Sequence, residues 1–542
     1  MCATFRKYGL CAVLLAGVTA LGAIEACAQT SDHLARTETV EPDPAKALRV
    51  VHVKISVSER TAIKRRMSER KNANAVQARS AKAASEAGEV QEPAPVATSI
   101  GGADLTEAAK DFIIGHNAKN PLAALAGNST LAEPAAVNWR GKVLYAGNFD
   151  HLEWSSNHGV SYTKITVPGG PPDAPIACCD NDIVIDDKGV AYHSILYINS
   201  ALTNGVVRIF VRPQGSNFTA SCSYTHDPGG GLDNITPDYP HIALSKNYLY
   251  LTYNATGAGG GFARIRRYNL AQLRACQAVT VNTFTQNWGA LGQRVWTPAE
   301  GGYNQARMMW IQHESTNQIK IFEWLESSAS VTSVLKTVQS SNFSNPDCRG
   351  GIGNFDFVER PTSWSIAGFR TRCTMAVGPD QPAGGVLACY WHSAATGNFP
   401  NSHVRAAHFS LTTKNLLSQP HIWNANYCFG YPVVTSNKRG AIGYSLAFGG
   451  KTGGGGPALK GAVGMFDTFG RNFTLSADGV AMRSDGRFGD YLTIHPYRGC
   501  SYWFGATSYA WKSQPVDSGT DVNARWVEFG RAADLACWKA GQ

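Results

Sequence analysis

Three short segments carry the side chains with which this chain could do chemistry. Asp180 and Asp182 lie two residues apart, directly after the adjacent Cys178 and Cys179 and ahead of the apolar run Ile183-Val184-Ile185. A second segment reads Asp238-Tyr239-Pro240-His241, and a third Arg487-Phe488-Gly489-Asp490-Tyr491. Carboxylates converging with an imidazole and a guanidinium could serve acid–base cleavage of a glycosidic bond. On that reading Asp180, Asp182, Asp238, His241 and Asp490 are the catalytic candidates. Arg487, Tyr491 and Tyr239 would grip the ligand. The plainer reading is that each aspartate caps a tight entry to a strand, with Asp490 paired to Arg487.

Other chemistries find little support. His313-Glu314 stands without the second histidine of His-Glu-x-x-His, and Gly443-Tyr-Ser-Leu-Ala447 lacks the last glycine of a nucleophile elbow. Gly453 to Gly456 is followed by no Lys-Ser/Thr, so it is a loop and not a phosphate cradle. The scattered histidines show no metal spacing, so no metal centre or cofactor is expected. Asp182, Asp186 and Asp187 could hold Ca²⁺, but Asp186-Asp187-Lys188-Gly189 is equally well read as a hairpin turn.

The three segments are far apart in sequence, so a repeating architecture must bring them together. Asp182–Tyr192 begins an apolar strand, then a glycine turn, then a strand carrying an aromatic residue. Asp238–Tyr250, Gly430–Tyr444 and Gly489–Tyr502 repeat that shape, and weaker copies fall near Ala135, Arg307 and Thr362. Recurring units of ~45–60 residues with several short strands describe β-propeller blades. Starts at Ala135, Asp180, Asp238, Arg307, Thr362, Tyr431 and Asp490 predict an all-β, seven-bladed propeller over 135–542. Six blades is the alternative, if the first copy only completes the last blade. The inner strand of each blade would begin near the central channel, which places the candidate residues at one hub.

Composition agrees. The 542-residue chain has 55 Gly, 13 Trp, 20 Tyr and 22 Phe with only 16% charged residues, a profile of short strands and tight turns. Met1 to Ala28 reads as an export signal, with Arg6 and Lys7, the apolar Leu10–Ala23, and Ala26-Cys27-Ala28 as cleavage site. A minor alternative makes Ile24-Glu25-Ala26-Cys27 a lipoprotein box. No later run is long enough to span a membrane. The expectation is a secreted or periplasmic monomer with no transmembrane segment. Residues 29–134 are expected to be a basic, poorly ordered tether, with a helical pattern over Leu105–Leu125. Nine Lys or Arg against two Glu between Lys54 and Lys82 account for much of the net charge of +9. In an exported chain this is a solvated tether and not a nucleic-acid site.

The repeats resemble a secreted bacterial propeller class related to sialidase or BNR-repeat (Asp-box) propellers. Ser155-Ser156-Asn157-His158-Gly159-Val160-Ser161-Tyr162 follows S-x-D-x-G-x-x-W, with Asn157 for the aspartate and Tyr162 for the tryptophan. Cys178-Cys179-Asp180 opens the next blade in similar proteins. Arg487-Phe-Gly-Asp-Tyr491 and Gly499-Cys-Ser-Tyr-Trp503 resemble the ending of many exported propellers. The resemblance implies the fold and makes Asn157 a structural turn residue; it leaves the chemistry open, because propellers host hydrolases, lyases, lectins and scaffolds. Phe369-Arg370-Thr371-Arg372 lacks the proline of a sialidase arginine element, which argues against a true sialidase.

Ten cysteines follow the signal segment. An even number in an exported chain reads as a disulfide framework. Eight fall into sequence-neighbouring pairs, Cys222/Cys276, Cys348/Cys373, Cys389/Cys428 and Cys500/Cys537. Cys178 and Cys179 either bond to each other or pair elsewhere. The functional expectation is a propeller that binds, and in the stronger form cleaves, an extracellular glycan or polymer at the channel mouth. The competing class is a non-catalytic scaffold of the cell envelope.

Overall fold

The computed structural model describes residues 33–44, 62–63, 66, 111–120, 133–149, 151–228, 235–257, 260–288, 295–343, 347–356, 371–468, 470–482, 491–512 and 522–542. The strands of this chain form seven antiparallel sheets arranged as blades, with one small extra sheet. Blade 1 is Ala135–Trp139, Lys142–Ala146, Leu152–Ser155 and Thr163–Lys164. Blade 2 is Ile176–Ile185, Val190–Ile198, Gly205–Pro213 and Cys222–His226. Blade 3 is Thr236–Leu244, Tyr248–Gly257, Gly260–Asn269 and Val279–Asn287. Blade 4 is Arg307–His313, Gln318–Leu325 and Ser330–Thr337. Blade 5 runs Arg372–Ala376, Val386–Ser393, His403–Ser410 and Leu416–Ser418. Blade 6 is Cys428–Ser436, Ile442–Gly449, Lys460–Asp467 and Gly470–Ala477. Blade 7 is Ile494–Pro496, Phe504–Ser508 and Arg525–Arg531.

The innermost strands of blades 2 and 6 are buried along almost their whole length, because each faces a neighbouring blade on both sides. Large aromatic side chains fill the wedges between blades. Between blades 3 and 4, Phe284 stacks on Trp296 and Trp310 on Phe322, with ring centroids 5.4 and 5.2 Å apart. Blade 1 is a separate sheet, which settles the count at seven.

The segment before the blades departs from expectation. His33–Leu34, Arg36–Val40 and Asp43–Pro44 add outer strands to blades 4, 3 and 2 in turn. Glu38 pairs with the buried Arg266 and Asp43 with the buried Arg208. The helical pattern over Leu105–Leu125 is corrected, since Phe112–Lys119 is a strand that completes blade 7 against Arg525–Arg531. Tertiary pairing overrode a weak local pattern, because an open blade edge offers unpaired backbone groups to any extended segment. The export signal, most of the basic tether, and Thr362 as a blade start lie outside the described residues.

Five disulfides are present among the described residues. Cys178–Cys179, Cys222–Cys276 and Cys500–Cys537 form as read from the sequence. The pairs Cys348/Cys373 and Cys389/Cys428 are corrected to Cys373–Cys389 and Cys348–Cys428. Cys373 and Cys389 lie directly opposite on the first two strands of blade 5, their Cα atoms 4.0 Å apart. Cys348 sits in the small sheet formed by Cys348–Gly350, Phe355–Asp356 and Lys451–Thr452, which brings it beside the start of blade 6. Sequence adjacency misleads here because strand register, not chain distance, decides which sulfurs meet. No helix among the described residues is long and apolar enough to cross a membrane.

Candidate functional site

The Asp-box-like turn of blade 1 is structural, as the resemblance implies. The Ser161 N–H donates to Asn157 Oδ1 (3.0 Å), and the Asn157 and Gly159 N–H groups donate to Ser155 Oγ (3.1 and 2.9 Å). An amide oxygen does here what a carboxylate oxygen would.

At the hub, the first strands of blades 2, 3 and 6 share a device. In blade 3, Asp238 pairs with Asn254 and His241 with Thr252, so two residues, Tyr239 and Pro240, oppose one. Blade 6 repeats this with Tyr431 and Pro432, and blade 2 shifts register where Cys178, Cys179 and Asp180 oppose Leu196. These are β-bulges, which re-aim side chains and free backbone donors. Tyr239 and Tyr431 adopt φ of 57° and 54°, a left-handed conformation that costs roughly 1–2 kcal/mol for a non-glycine residue. The repeated Tyr-Pro of the sequence is therefore a bulge motif.

The blade 2 aspartates accept the donors that the blade 3 bulge frees. The Tyr239 N–H donates to Asp180 Oδ2 at 3.1 Å, and the Ile242 N–H to Asp182 Oδ2 at 3.0 Å. Asp182 Oδ1 accepts from the Ile183 N–H (2.9 Å), and His241 Nδ1 lies 3.0 Å from Asp182 Oδ2. The capping reading of Asp180 and Asp182 holds, with the caps made between blades instead of within one. Asp238 opens the same bulge and is partly exposed. Tyr239 and Tyr491 are fully buried, and Tyr491 donates its hydroxyl to Pro240 O at 3.0 Å. His241 packs edge-on to Tyr239 (4.4 Å) and against Tyr491 (4.6 Å). Burial, then the nearby Asp180, Tyr239, Asp238 and Asp182, holds the Tyr491 hydroxyl well above its ordinary value. Asp180, Asp182, Asp238, Tyr239, His241 and Tyr491 thus meet at one place, but as a packed plug and not as an open aromatic platform. Arg487 and Asp490 lie outside the described residues.

Beside this plug lies a cavity of ≈ 20 Å³, room for one or two waters. Its polar lining is Asp182 and His241 together with Thr297, Glu300, Arg372, Thr493 and His495. Sequence reasoning did not nominate Glu300, Arg372 or His495. Arg372 opens the inner strand of blade 5, donates from Nη1 to Thr297 Oγ1 (3.3 Å), and lies over the Tyr239 ring at 5.3 Å. His495 lies on the inner strand of blade 7.

Glu300 comes from the stretch ahead of blade 4. Its N–H donates to Cys373 O, and its carbonyl accepts from the Met375 N–H, both at 2.8 Å, so the stretch runs beside the inner strand of blade 5. Gly301 follows with φ of 72°, and a Cβ there would sit 2.4 Å from Ser436 Oγ and 2.7 Å from Thr374 Oγ1. Only glycine allows this close turn into the hub. An acidic residue ahead of Gly-Gly was the available sequence signal.

The electrostatics divide these groups. Burial pushes Asp182 up to about 7, against the pull of the Ile242 N–H, Arg372 and the Ile183 N–H. Glu300 is also raised well above the carboxylate range, by burial and then by Asp182, against Arg372 and Arg498. His241 is held well below its ordinary value by burial and Arg372, and His495 is pushed down to about 3 by burial and Arg498. Both imidazoles are neutral, and Glu300 keeps a proton where an exposed glutamate would lose it. The Asp182 side chain is 6% exposed and that of Glu300 23%, so Glu300 is the accessible carboxyl.

The Ca²⁺ reading of Asp182, Asp186 and Asp187 does not assemble. Asp186 lies at the far end of the strand, where its Oδ1 accepts the Lys188 and Val190 N–H groups. Its Oδ2 takes the Tyr192 hydroxyl and Arg274 Nε. The turn reading of this segment accounts for these contacts. Among the described residues, no group of three or more His, Cys, Asp or Glu could hold a metal ion.

No family model matches the chain, and no curated protein matches its sequence. Among solved structures it is similar to the α-L-arabinofuranosidase Arb93A of Fusarium graminearum in complex with an iminosugar inhibitor. That match has 9% identity and a TM-score of 0.37, and covers 78% of this chain and 99% of that one. The α-L-arabinanase of Penicillium chrysogenum complexed with arabinobiose matches at 11% identity and TM-score 0.35, over 78% and 98%. A Trypanosoma rangeli sialidase mutant displaying trans-sialidase activity matches at 10% and 0.33, over 66% and 58%. At these values the likenesses carry no argument about activity, and the seven-bladed fold stands on its own strand pairings.

Proposed function

We propose that the propeller binds a glycan at the mouth of its central channel and cleaves a glycosidic bond there, with Glu300 as proton donor. The observation that supports this most is the convergence of Asp182, Glu300 and Arg372, from three parts of the ring, on one cavity. A glutamate whose carboxyl burial holds well above the ordinary carboxylate range, with part of its side chain accessible, suits protonation of a leaving-group oxygen. Asp182 is the second carboxylate, tied down by three N–H donors and serving to fix His241 and the local field. The ligand sits at the mouth, since ≈ 20 Å³ admits only a single small group of it. The export reading of Met1–Ala28, with five disulfides, supports action outside the cytoplasm.

The test is turnover of a panel of chromogenic glycosides and soluble polysaccharides by the wild-type protein and by Glu300→Gln. General acid catalysis contributes roughly 10²–10⁴, so a loss of that size with binding retained is expected. Unchanged turnover in Glu300→Gln would remove the proposed proton donor. A second reading, a non-catalytic scaffold, is favoured by the buried Tyr239–His241–Tyr491 plug. It wins if no panel member binds or turns over.

A further inference from the structure

We infer that the hub cavity receives a hydroxyl group, so that the ligand class is a neutral, hydroxyl-bearing sugar and not an acidic one. This rests on the hub as the ligand site, as proposed above. The argument begins with which nitrogen of His241 carries the proton. Asp182 Oδ2 already accepts from the Ile242 N–H, and Oδ1 from the Ile183 N–H, so both oxygens act as acceptors. With Asp182 ionised, above its raised value of about 7, neither oxygen carries a proton, so the imidazole nitrogen 3.0 Å from Oδ2 is the donor, which puts the proton on Nδ1. His241 is neutral, so Nε2 is left with a bare lone pair.

That Nε2 is buried and has no hydrogen-bond partner, on a residue that lines the cavity. His495, from the opposite part of the ring, also lines it with a buried, unpartnered Nε2. A buried polar atom without a partner costs roughly 1–3 kcal/mol, so the cavity selects a group that donates a hydrogen bond. An alcohol does so without bringing charge. A carboxylate brings acceptors only, and would face the His241 lone pair and the Asp182 carboxylate. Arg372 is the one cation of the lining, and it is already engaged with Thr297 Oγ1 and the Tyr239 ring.

Two measurements test this. The first is the ¹⁵N spectrum of histidine-labelled protein at pH 8, with the His241 signal assigned by its loss in His241→Gln. The expected spectrum shows Nδ1 protonated and Nε2 bare, while a protonated Nε2 overturns the inference without any ligand being known. The second compares methyl β-glucoside with methyl β-glucuronide, which differ only in a hydroxymethyl against a carboxylate. Titration is followed at the His241 Nε2 resonance in the wild-type protein and in Glu300→Gln. A shift with the glucoside at a concentration at least tenfold below that needed for the glucuronide supports the inference. Equal or tighter response to the glucuronide overturns it and leaves the hub reading intact. Neutral-sugar binding that leaves both the His241 resonance and the effect of Glu300→Gln unmoved lies elsewhere, and ends the hub reading itself.

Discussion

Replacing Asp182 by Asn should change the pH dependence of stability in a defined direction. The folded-state value of Asp182 is raised from 3.8 to about 7, mainly by burial. Between roughly pH 4 and 7 the folded protein therefore holds a proton that the unfolded chain releases. The sign follows: this group's contribution is fully present below about pH 4 and is lost as pH rises toward 7. The shift is about 3 units, and at 1.36 kcal/mol per unit the upper limit is ~4 kcal/mol. Asn is close in shape to the protonated acid and cannot ionise. Its amide still meets one of the Ile183 and Ile242 N–H donors wrongly, an offset of ~1–3 kcal/mol that does not vary with pH. Asp182→Asn should thus gain ~2–4 kcal/mol relative to wild type between pH 4 and 8. Urea midpoints read by tryptophan fluorescence at pH 4.5, 6 and 8 measure it. Glu300, raised by burial and then by Asp182, adds a slope of the same sign that is smaller in the variant, where the Asp182 charge is gone. A difference that stays flat across this range, or moves the other way, would refute the claim that Asp182 is a carboxyl desolvated at the hub.

Other perturbations probe how the ring is held together. Arg531 makes two hydrogen bonds to Asp467, at 2.8 and 2.7 Å, with both side chains buried between blades 6 and 7. Asp467→Ala should cost ~3–5 kcal/mol because it strands a buried cation, whereas Asp467→Leu with Arg531→Met should cost much less; urea denaturation of the three variants checks this. Cys348–Cys428 spans 80 residues and Cys373–Cys389 spans 16, so serine replacement of the first pair should lower the urea midpoint more, by ~1 kcal/mol on chain-entropy grounds. Gly301→Ala should reduce glycan binding and stability together, since its Cβ would drive into the inner strands of blades 5 and 6. Thermal melts alongside ligand titration test that pairing, and an unchanged melt would show that the Glu300 turn has room to spare. Glu38→Ala, which leaves the buried Arg266 without its partner from the N-terminal strand, should destabilise by ~1–3 kcal/mol.

Much of the architecture was legible because blades repeat. Each copy needs an apolar inner strand, a glycine turn and a second strand, and that pattern recurs regularly enough to give six or seven units, a choice the separate sheet of blade 1 settles at seven. The turn roles of Asn157 and Asp186 were legible as well, because a side-chain oxygen four or two residues ahead of its backbone donor is a local arrangement. The site was read only in part. Asp182 and His241 were found because they open strong repeats, whereas Glu300 belongs to no repeat and reaches the hub through Gly301.

By itself, then, the order of residues determined the blade pattern, the turn residues and the presence of acids at strand entries, all of which depend on near neighbours. Tertiary structure alone decided which cysteines met, which strands the N-terminal segment joined, and that Tyr239 and Tyr491 form a plug while Glu300 and Arg372 face a cavity. Those outcomes depend on contacts between residues of different strands and blades, where burial and register, not local preference, set the energy.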